Sequence, residues 1–186
     1  MEASTINRSR FRTVDIAYIA MFAALTAVCS WISIPTTVPF TLQTFAVFAS
    51  MLILGGERGF FAVLTYILLG AAGVPVFAEF SGGLSVLFGM TGGYIIGFLF
   101  TALIYWVCEK FIGQHAAVKI GALILGLAVC YAFGTVWFIN IYSKKVEQIG
   151  LKGALGMCVT PFLIPDAVKL ALAWVISVGL KKRIKI

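Results

Sequence analysis

The sequence places two oppositely charged residues inside a long apolar segment. Asp166 and Lys169 are three residues apart in Pro165-Asp166-Ala167-Val168-Lys169, a spacing that puts both side chains on one face of a helix. Charged side chains are costly at membrane depth and commonly line a functional cavity. The pair therefore predicts a polar binding pocket. The alternatives are a mutually neutralised pair, or a Lys169 side chain that extends to the membrane interface.

A broken apolar segment, residues 74–90 (VPVFAEFSGGLSVLFGM), supplies further candidate ligand-binding residues. Glu79 is its only charged residue. Gly82 and Gly83 follow, and glycine lets a backbone approach a ligand closely. Irregular backbone at membrane depth is tolerated only where it is buried in protein or lines a cavity. The segment is interpreted as a re-entrant or capping loop, with Glu79 either held over the pocket or solvated.

Polar residues also mark the starts of two apolar segments. Thr91-Gly92-Gly93-Tyr94 opens one of them, and the free N–H groups at a helix N-terminus favour an anionic group. Gln43 and Thr44 lie in the first turns of another. Together with Asp166, these residues are expected at the same side of the membrane.

Composition indicates which elements position these residues. Of the 186 residues, 61% are apolar and 11% are charged, and the mean hydropathy is +1.05. Soluble domains average about 45–50% apolar residues and about 25% charged residues. Charge-free segments run over 16–56, 59–78, 80–108 and 120–143. They lack the alternation of barrel strands. The expected fold class is an all-α polytopic membrane protein.

Six transmembrane helices are predicted, at about 20 apolar residues per span. The expected spans are 14–34, 40–54, 59–73, 91–108, 120–142 and 161–180. Residues 1–186 are expected to form a single integral membrane domain. Residues 1–12 and 181–186 are expected to form its cytoplasmic tails.

The basic residues predict the orientation in the lipid bilayer. The side of the termini carries Arg8, Arg10, Arg12, Arg58, Lys110, Lys119, Lys181, Lys182, Arg183 and Lys185, whereas the opposite loops carry Lys144, Lys145 and Lys152. Because positive charge accumulates on the cytoplasmic side, both termini are expected there. The formal net charge of +7 is therefore attributed to topology, and no nucleic-acid partner is expected.

Small residues predict close helix contacts. Ala20, Ala23, Ala24 and Ala27 form two Ala-xxx-Ala ridges, and Gly89-xxx-Gly93-xxx-Gly97 forms a glycine ridge. Such ridges let helix backbones approach closely in membranes. The alanine ridges fit either packing within the chain or contact with a partner protein.

Several catalytic motifs are absent from the sequence. It contains no GxxxxGK[ST], HExxH, CxxC or GxSxG motif, so no ATPase, hydrolytic or redox centre is indicated. The four cysteines are interpreted as packing residues, and no metal or cofactor is expected. The sequence therefore predicts a membrane binding protein that depends on other proteins for energy, not an enzyme.

Five motifs carry a resemblance to a known family. They are Val38-Pro39-Phe40-Thr41-Leu42-Gln43-Thr44, Gly70-xx-Gly73-Val74-Pro75-Val76-Phe77, Ser81-Gly82-Gly83, Thr91-Gly92-Gly93-Tyr94-xx-Gly97-Phe98 and Pro165-Asp166-xx-Lys169. With them the chain resembles the BioY family, the biotin-specific S components of energy-coupling-factor (ECF) transporters. It departs from the family's usual GPTGG at Met90, which replaces the proline.

The resemblance implies a six-helix S-component fold in the plasma membrane of a prokaryote, with biotin bound near the extracytoplasmic face. It also implies two kinds of partner, a transmembrane T protein and two ABC-type ATPases. The T protein would dock on Ala20, Ala23, Ala24 and Ala27. Two alternatives are an S component for another small vitamin and a small intramembrane enzyme.

The resemblance also implies roles for the candidate residues. Asp166 would accept a hydrogen bond from a ureido N–H of biotin, and Lys169 would donate to the ureido carbonyl or balance the charge of Asp166. Gln43, Thr44 or backbone N–H groups would meet the carboxylate of biotin. The bicyclic ring would lie against the aromatic side chains Phe40, Phe77, Phe80 and Tyr94.

Overall fold

The structure of the chain, a computed structural model, describes residues 11–146 and 148–183. Most of the predicted tail 1–12 and the last part of the predicted tail 181–186 lie outside these residues. The described helices are α1 (Thr13–Trp31), α2 (Gln43–Leu54), α3 (Gly56–Ala71), α4 (Leu84–Leu87), α5 (Gly92–Phe111), α6 (Ala116–Lys145), α7 (Leu151–Cys158) and α8 (Thr160–Arg183). Two short strands, β1 (Ser33–Ile34) and β2 (Phe40–Thr41), and a 3-10 turn (Ala78–Phe80) complete them.

The all-helical membrane architecture is confirmed. Four segments are long and apolar enough to cross a membrane, namely α1, α5, most of α6, and α7 together with α8 up to Leu180. The apolar α2 has 12 residues and α3 has 16. Both are shorter than the roughly 20 residues that a helix needs to cross a bilayer. The six-span count stays a prediction.

The link between α1 and α2 is a β-hairpin rather than the ends of two helices. The predicted first span extended to Ile34 and the second began at Phe40, but α1 ends at Trp31 and β1 pairs antiparallel with β2. The prediction was wrong here because short apolar runs look alike in strands and helices. The hairpin leads directly into α2, where the Gln43 N–H donates to Thr41 Oγ1 at 3.2 Å.

The turn between α2 and α3 is shorter than the predicted turn 55–58. Gly55 makes it alone, with φ +85°, a conformation that costs glycine little. The first N–H of α3, that of Gly56, donates to Glu109 Oε2 at 2.5 Å. A carboxylate is favourable at this position because the helix N-terminus carries partial positive charge. Lys119 Nζ lies 3.4 Å from the other Glu109 oxygen.

The segment 144–155 was predicted to be a polar loop, and the structure corrects this. Helix α7 begins at Leu151 and buries Ala154 and Cys158. Lys152 suggested a loop, yet the apolar residues recur at helical spacing, which is typical of an amphipathic helix. Helix α8 likewise continues to Arg183, so residues 181–183 extend a helix instead of starting a tail.

Helices α5 and α6 make the most extensive helix contact of the described fold. A Cβ atom added at Gly97 would lie 2.6 Å from Cys130 Sγ, and one added at Gly126 would lie 2.8 Å from the Cα of Thr101. Of the predicted glycine ridge, Gly97 and Gly93, the latter against Trp137, thus pack within the chain, whereas Gly89 precedes α5. Helix α1 packs on α2 and α3, and α8 packs mainly on α2 and α7.

The end of α1 holds the segment 74–83. Ser30 Oγ donates to the carbonyl of Val76 at 2.5 Å, and Trp31 Nε1 donates to the carbonyl of Pro75 at 2.9 Å. The Trp31 ring also stacks on Phe80 at 5.0 Å between ring centroids. Phe80 has a φ of +55°, which is uncommon for a residue with a side chain. The predicted capping loop is therefore a tight, anchored turn.

Candidate functional site

One end of the helical bundle contains a cavity bounded by α2, α5, α6 and α8. It has about 640 Å³ of empty space, its open mouth included. Its lining residues are Val38, Pro39, Thr41, Gln43, Thr44, Ala78, Thr91, Tyr94, Ile95, Phe98, Leu127, Cys130, Tyr131, Cys158, Phe162, Asp166 and Lys169. The lining is apolar apart from a few convergent polar groups, which is typical of a small-molecule site.

The two predicted charges meet at this cavity. Lys169 Nζ lies 2.7 Å from Asp166 Oδ1, and the two residues are 5% and 2% exposed. Both therefore pair with each other and line the cavity, and a role of the pair in ligand binding stays a prediction. Pro165 precedes the pair within α8.

Thr44 joins the charged pair from α2. Its hydroxyl donates to Asp166 Oδ1 at 2.8 Å and accepts a hydrogen bond from Lys169 Nζ at 3.0 Å. The third side of the ammonium faces the Phe40 ring, 4.5 Å from its centroid, a favourable cation–π distance. Phe40 itself stacks on Phe162 at 5.6 Å. Lys169 is thus held on three sides.

The other polar residues of the cavity also have partners. Gln43 Nε2 donates to the hydroxyl of Tyr66 at 2.7 Å, which leaves the Gln43 amide oxygen as an acceptor. The Tyr94 hydroxyl lies 3.1 Å from Thr135 Oγ1. Predicted residues Gln43, Thr44, Tyr94, Asp166 and Lys169 therefore come together at one site.

Glu79 is not part of the cavity lining. Its neighbour Ala78 lines the cavity, whereas Glu79 is exposed on the 3-10 turn. Phe80 also points away and stacks on Trp31. The prediction that Glu79 or Phe80 contacts a ligand is not supported, because the turn directs both side chains outwards.

Phe77, Gly82 and Gly83 also have structural positions instead of cavity positions. Phe77 is 1% exposed and packs edge-on against Tyr66 at 5.5 Å. The N–H of Gly83 donates to the Gly70 carbonyl at 2.7 Å, and Gly83 has φ +93°. These residues fold the 74–83 segment against α3 and do not reach the cavity.

Tyr131 is the main site residue that the sequence did not indicate. It lies in α6, and its hydroxyl donates to Asp166 Oδ2 at 2.5 Å. In the sequence it is distinguished only as a tyrosine within a charge-free segment. A buried tyrosine hydroxyl usually needs a hydrogen-bond partner. Phe98 and Phe162 add aromatic walls that had not been predicted.

The alanines of α1 separate into two faces. Ala23 and Ala27 are 1% and 5% exposed and belong to the core, whereas Ala20 and Ala24 are exposed. The predicted four-residue docking face is corrected accordingly: only the Ala20–Ala24 ridge is open to a partner. Among the described residues, no three His, Cys, Asp or Glu side chains are grouped closely enough to hold a metal ion.

Comparisons with known proteins agree with this architecture. The model of the BioY family matches residues 3–186. The chain is 43% identical to "Biotin transporter BioY" of Thermotoga maritima over 87% of its length and 92% of that protein. It is 34% identical to "Biotin transporter BioY2" of Lactococcus lactis subsp. cremoris, covering 89% of each chain.

The fold also matches a solved structure. That structure is a crystal structure of the S-component for biotin from an ECF-type ABC transporter, with a TM-score of 0.79 and 24% identity over 94% of this chain and 96% of that one. Its likeness shows that the helical arrangement is the one expected for an S component. Together with the match of the family model over nearly all of the sequence, these results show that the chain belongs to the BioY family.

Proposed function

We propose that this chain is the biotin-binding membrane subunit (S component) of an ECF-type vitamin importer. The observation that carries the proposal is the buried Asp166–Lys169 pair, which Thr44 joins at the wall of an otherwise apolar cavity. The relatives named biotin transporters support it. None of those reported above is named an enzyme, which argues against the intramembrane enzyme.

The chemistry of biotin suits the polar side of the cavity. Its ureido group offers two N–H donors and one carbonyl acceptor. Asp166 Oδ2 holds one protein donor, and a carboxylate has about four lone-pair sites, so a ligand N–H still finds an acceptor there. One N–H of the Lys169 ammonium, which in this structure points at Thr44 or at the Phe40 ring, would turn towards the ureido carbonyl. Tyr94, Phe98 and Phe162 supply the walls for the bicyclic ring.

The carboxylate of biotin is assigned to the start of α5 together with Gln43. Thr91 lines the cavity and immediately precedes α5. The first N–H groups of a helix, with the partial positive charge of its dipole, favour an anionic group. The amide of Gln43 is a candidate for a further polar contact, because it also lines the cavity.

The proposal requires energising partners. These are the T protein and two ABC-type ATPases of an ECF assembly, with the exposed Ala20–Ala24 ridge of α1 as the docking face. Small residues on a lipid-facing helix permit close approach of a second helix, and both alanines are exposed. The structural neighbour, a component of an ECF-type ABC transporter, supports this assignment.

Calorimetric titration of the detergent-purified protein tests the proposed function. Biotin is expected to bind one to one and to be recovered unchanged. Other water-soluble vitamins should give no heat of binding at the same concentration. The Lys110→Met variant is a matched control, because it removes an exposed lysine far from the cavity lining. Binding of another vitamin in preference to biotin, or chemical turnover, would replace this proposal with one of the two alternatives.

The proposal includes an orientation, with both termini cytoplasmic and the cavity open to the extracytoplasmic side. Residues 1–186 then form a single membrane domain. Glu79 and Gln114 are both exposed. Glu79 is next to Ala78, which lines the cavity together with Thr91 at the start of α5, whereas Gln114 follows the other end of α5, a 20-residue helix that spans about 30 Å. They are therefore suitable positions for labels on the two sides of the bilayer.

We expect Glu79→Cys to react with an impermeant thiol reagent added to intact cells. Gln114→Cys should react only after the cells are permeabilised. The reason is the excess of basic residues on the side of Gln114, which sets that side as cytoplasmic. Mass-shift labelling of both variants measures the result. The reverse pattern, with Gln114→Cys labelled first, would invert the orientation.

A further inference from the structure

The carboxylate of Asp166 is held on both of its oxygens. Thr44 and Lys169 bond to Oδ1, at 2.8 and 2.7 Å. The Tyr131 hydroxyl bonds to Oδ2 at 2.5 Å. Thr44 and Lys169 are already within the predicted site, whereas Tyr131 comes from a different helix and was not predicted.

Tyr131 connects two helices whose main neighbours differ, α5 for α6 and α2 for α8, although both also contact α7. Helix α6 packs on α5 and α7, and α8 packs mainly on α2 and α7. Within residues 11–146 and 148–183, the bond from Tyr131 to Asp166 is the one side-chain hydrogen bond that joins α6 to α8. Both residues line the cavity, so this bond is part of the cavity wall.

Bonding to one oxygen alone would leave the carboxylate free to turn. The last torsion angle of an aspartate side chain is broad and roughly two-fold, so the bonds at Oδ1 do not fix where Oδ2 points. The phenol at Oδ2 fixes the plane of the group. A carboxylate oxygen accepts about two hydrogen bonds, and Oδ2 therefore keeps one place for a donor from the cavity.

We infer that Tyr131 is a positioning residue for ligand recognition, whose hydroxyl orients Asp166 so that Oδ2 receives one N–H of a cyclic urea. The inference rests on the proposed binding of biotin and extends it to the selectivity for the ureido group. Preorganised polar groups discriminate against analogues that lack the matching donor, because the site is then left with an unpaired buried group. Tyr131 is thus expected to affect selectivity more than overall binding.

The experiment compares biotin with its two cyclic carbamate analogues, in each of which a ring oxygen replaces one ureido N–H. The ratio of the dissociation constants of analogue and biotin is measured by calorimetry for the parent and for Tyr131→Phe. The parent should discriminate strongly against one analogue. In Tyr131→Phe that ratio should fall roughly tenfold, the factor that corresponds to about 1.4 kcal/mol.

Tyr142→Phe is the matched control, since it removes the same atom from α6 at a residue that stacks on Phe138 and is absent from the cavity lining. Its ratio should equal that of the parent. A Tyr131→Phe variant that loses thermal stability but keeps the parent ratio would overturn the inference, as would a parent that does not discriminate between biotin and either analogue. A parent that binds no biotin contradicts the proposed function itself.

A second measurement does not depend on the folding of Tyr131→Phe. In otherwise unchanged protein, 3-fluorotyrosine is placed at position 131 alone, and its fluorine resonance is recorded. The resonance should shift on addition of biotin and stay in place on addition of valeric acid, which has the carboxylate chain without the ureido ring. An unchanged resonance with saturating biotin, or an equal shift with valeric acid, overturns the inference.

Discussion

Asp166→Asn should weaken biotin binding roughly ten- to hundredfold, because a hydrogen bond to a charged group contributes about 1.5–3 kcal/mol. The substitution keeps the shape of the side chain and removes its charge. It also leaves the buried ammonium of Lys169 without the carboxylate that lies 2.7 Å away. Calorimetry and thermal unfolding of the same purified sample measure both effects.

Asp15→Asn provides the matched control for this prediction. Asp15 is also a buried acid, 5% exposed, and its Oδ1 lies 3.0 Å from Arg58 Nη2, far from the residues of the cavity. Asp15→Asn should therefore lower thermal stability and keep the affinity for biotin. If both variants lose stability and neither loses affinity, the Asp166–Lys169 pair is structural.

The double variant Asp166→Asn/Lys169→Met separates the two roles further. It removes both buried charges, and replacing a buried ion pair with uncharged residues is often neutral for stability. We expect stability to recover relative to Asp166→Asn while binding stays weak. A double variant that binds biotin as tightly as the parent would remove the pair from the proposed site.

Ala24→Leu should nearly abolish coupled biotin uptake while the isolated subunit still binds biotin. The added side chain would occupy the small-residue ridge on which the partner helix is proposed to dock. A clash of this kind costs about 1–3 kcal/mol, which corresponds to roughly five- to 150-fold weaker docking. Uptake by cells that contain the energising proteins, and calorimetry on the purified subunit, are the two measurements.

Two other alanines serve as controls for Ala24→Leu. Ala128 is exposed on α6, so Ala128→Leu should leave both uptake and binding unchanged. Ala23 is 1% exposed, so Ala23→Leu should overpack the core and lower thermal stability. Unimpaired uptake by Ala24→Leu would show that the partner docks elsewhere.

The charged part of the site could be predicted because charges inside apolar segments are rare. Asp166 and Lys169 stand out in the sequence for this reason, and their spacing fixes their common face. Tyr131 could not be found in the same way. Nearly every residue around it in α6 is apolar, so periodicity does not show which face of that helix meets the cavity.

The limits of the fold prediction have a similar physical cause. Hydropathy identifies long membrane helices well, since lipid demands internally bonded backbone, and α5 and α6 were expected close to their observed positions. It does not distinguish an apolar strand from an apolar helix, which is why β1 and β2 were missed. The sequence left open whether Glu79 lies over the pocket or in solvent, because its position depends on a φ of +57°, which composition does not indicate.

The glycine contacts between α5 and α6 limit how the protein can change shape. Side chains that repack must exchange one rotamer for another, and glycine has no rotamers. With Gly97 against Cys130 and Gly126 against Thr101, the two helices have no side chain at these points that could repack, so we expect them to move together. Helix α8 has no such glycine contact with α6, and among residues 11–146 and 148–183 the two are joined by one side-chain hydrogen bond, from Tyr131 to Asp166.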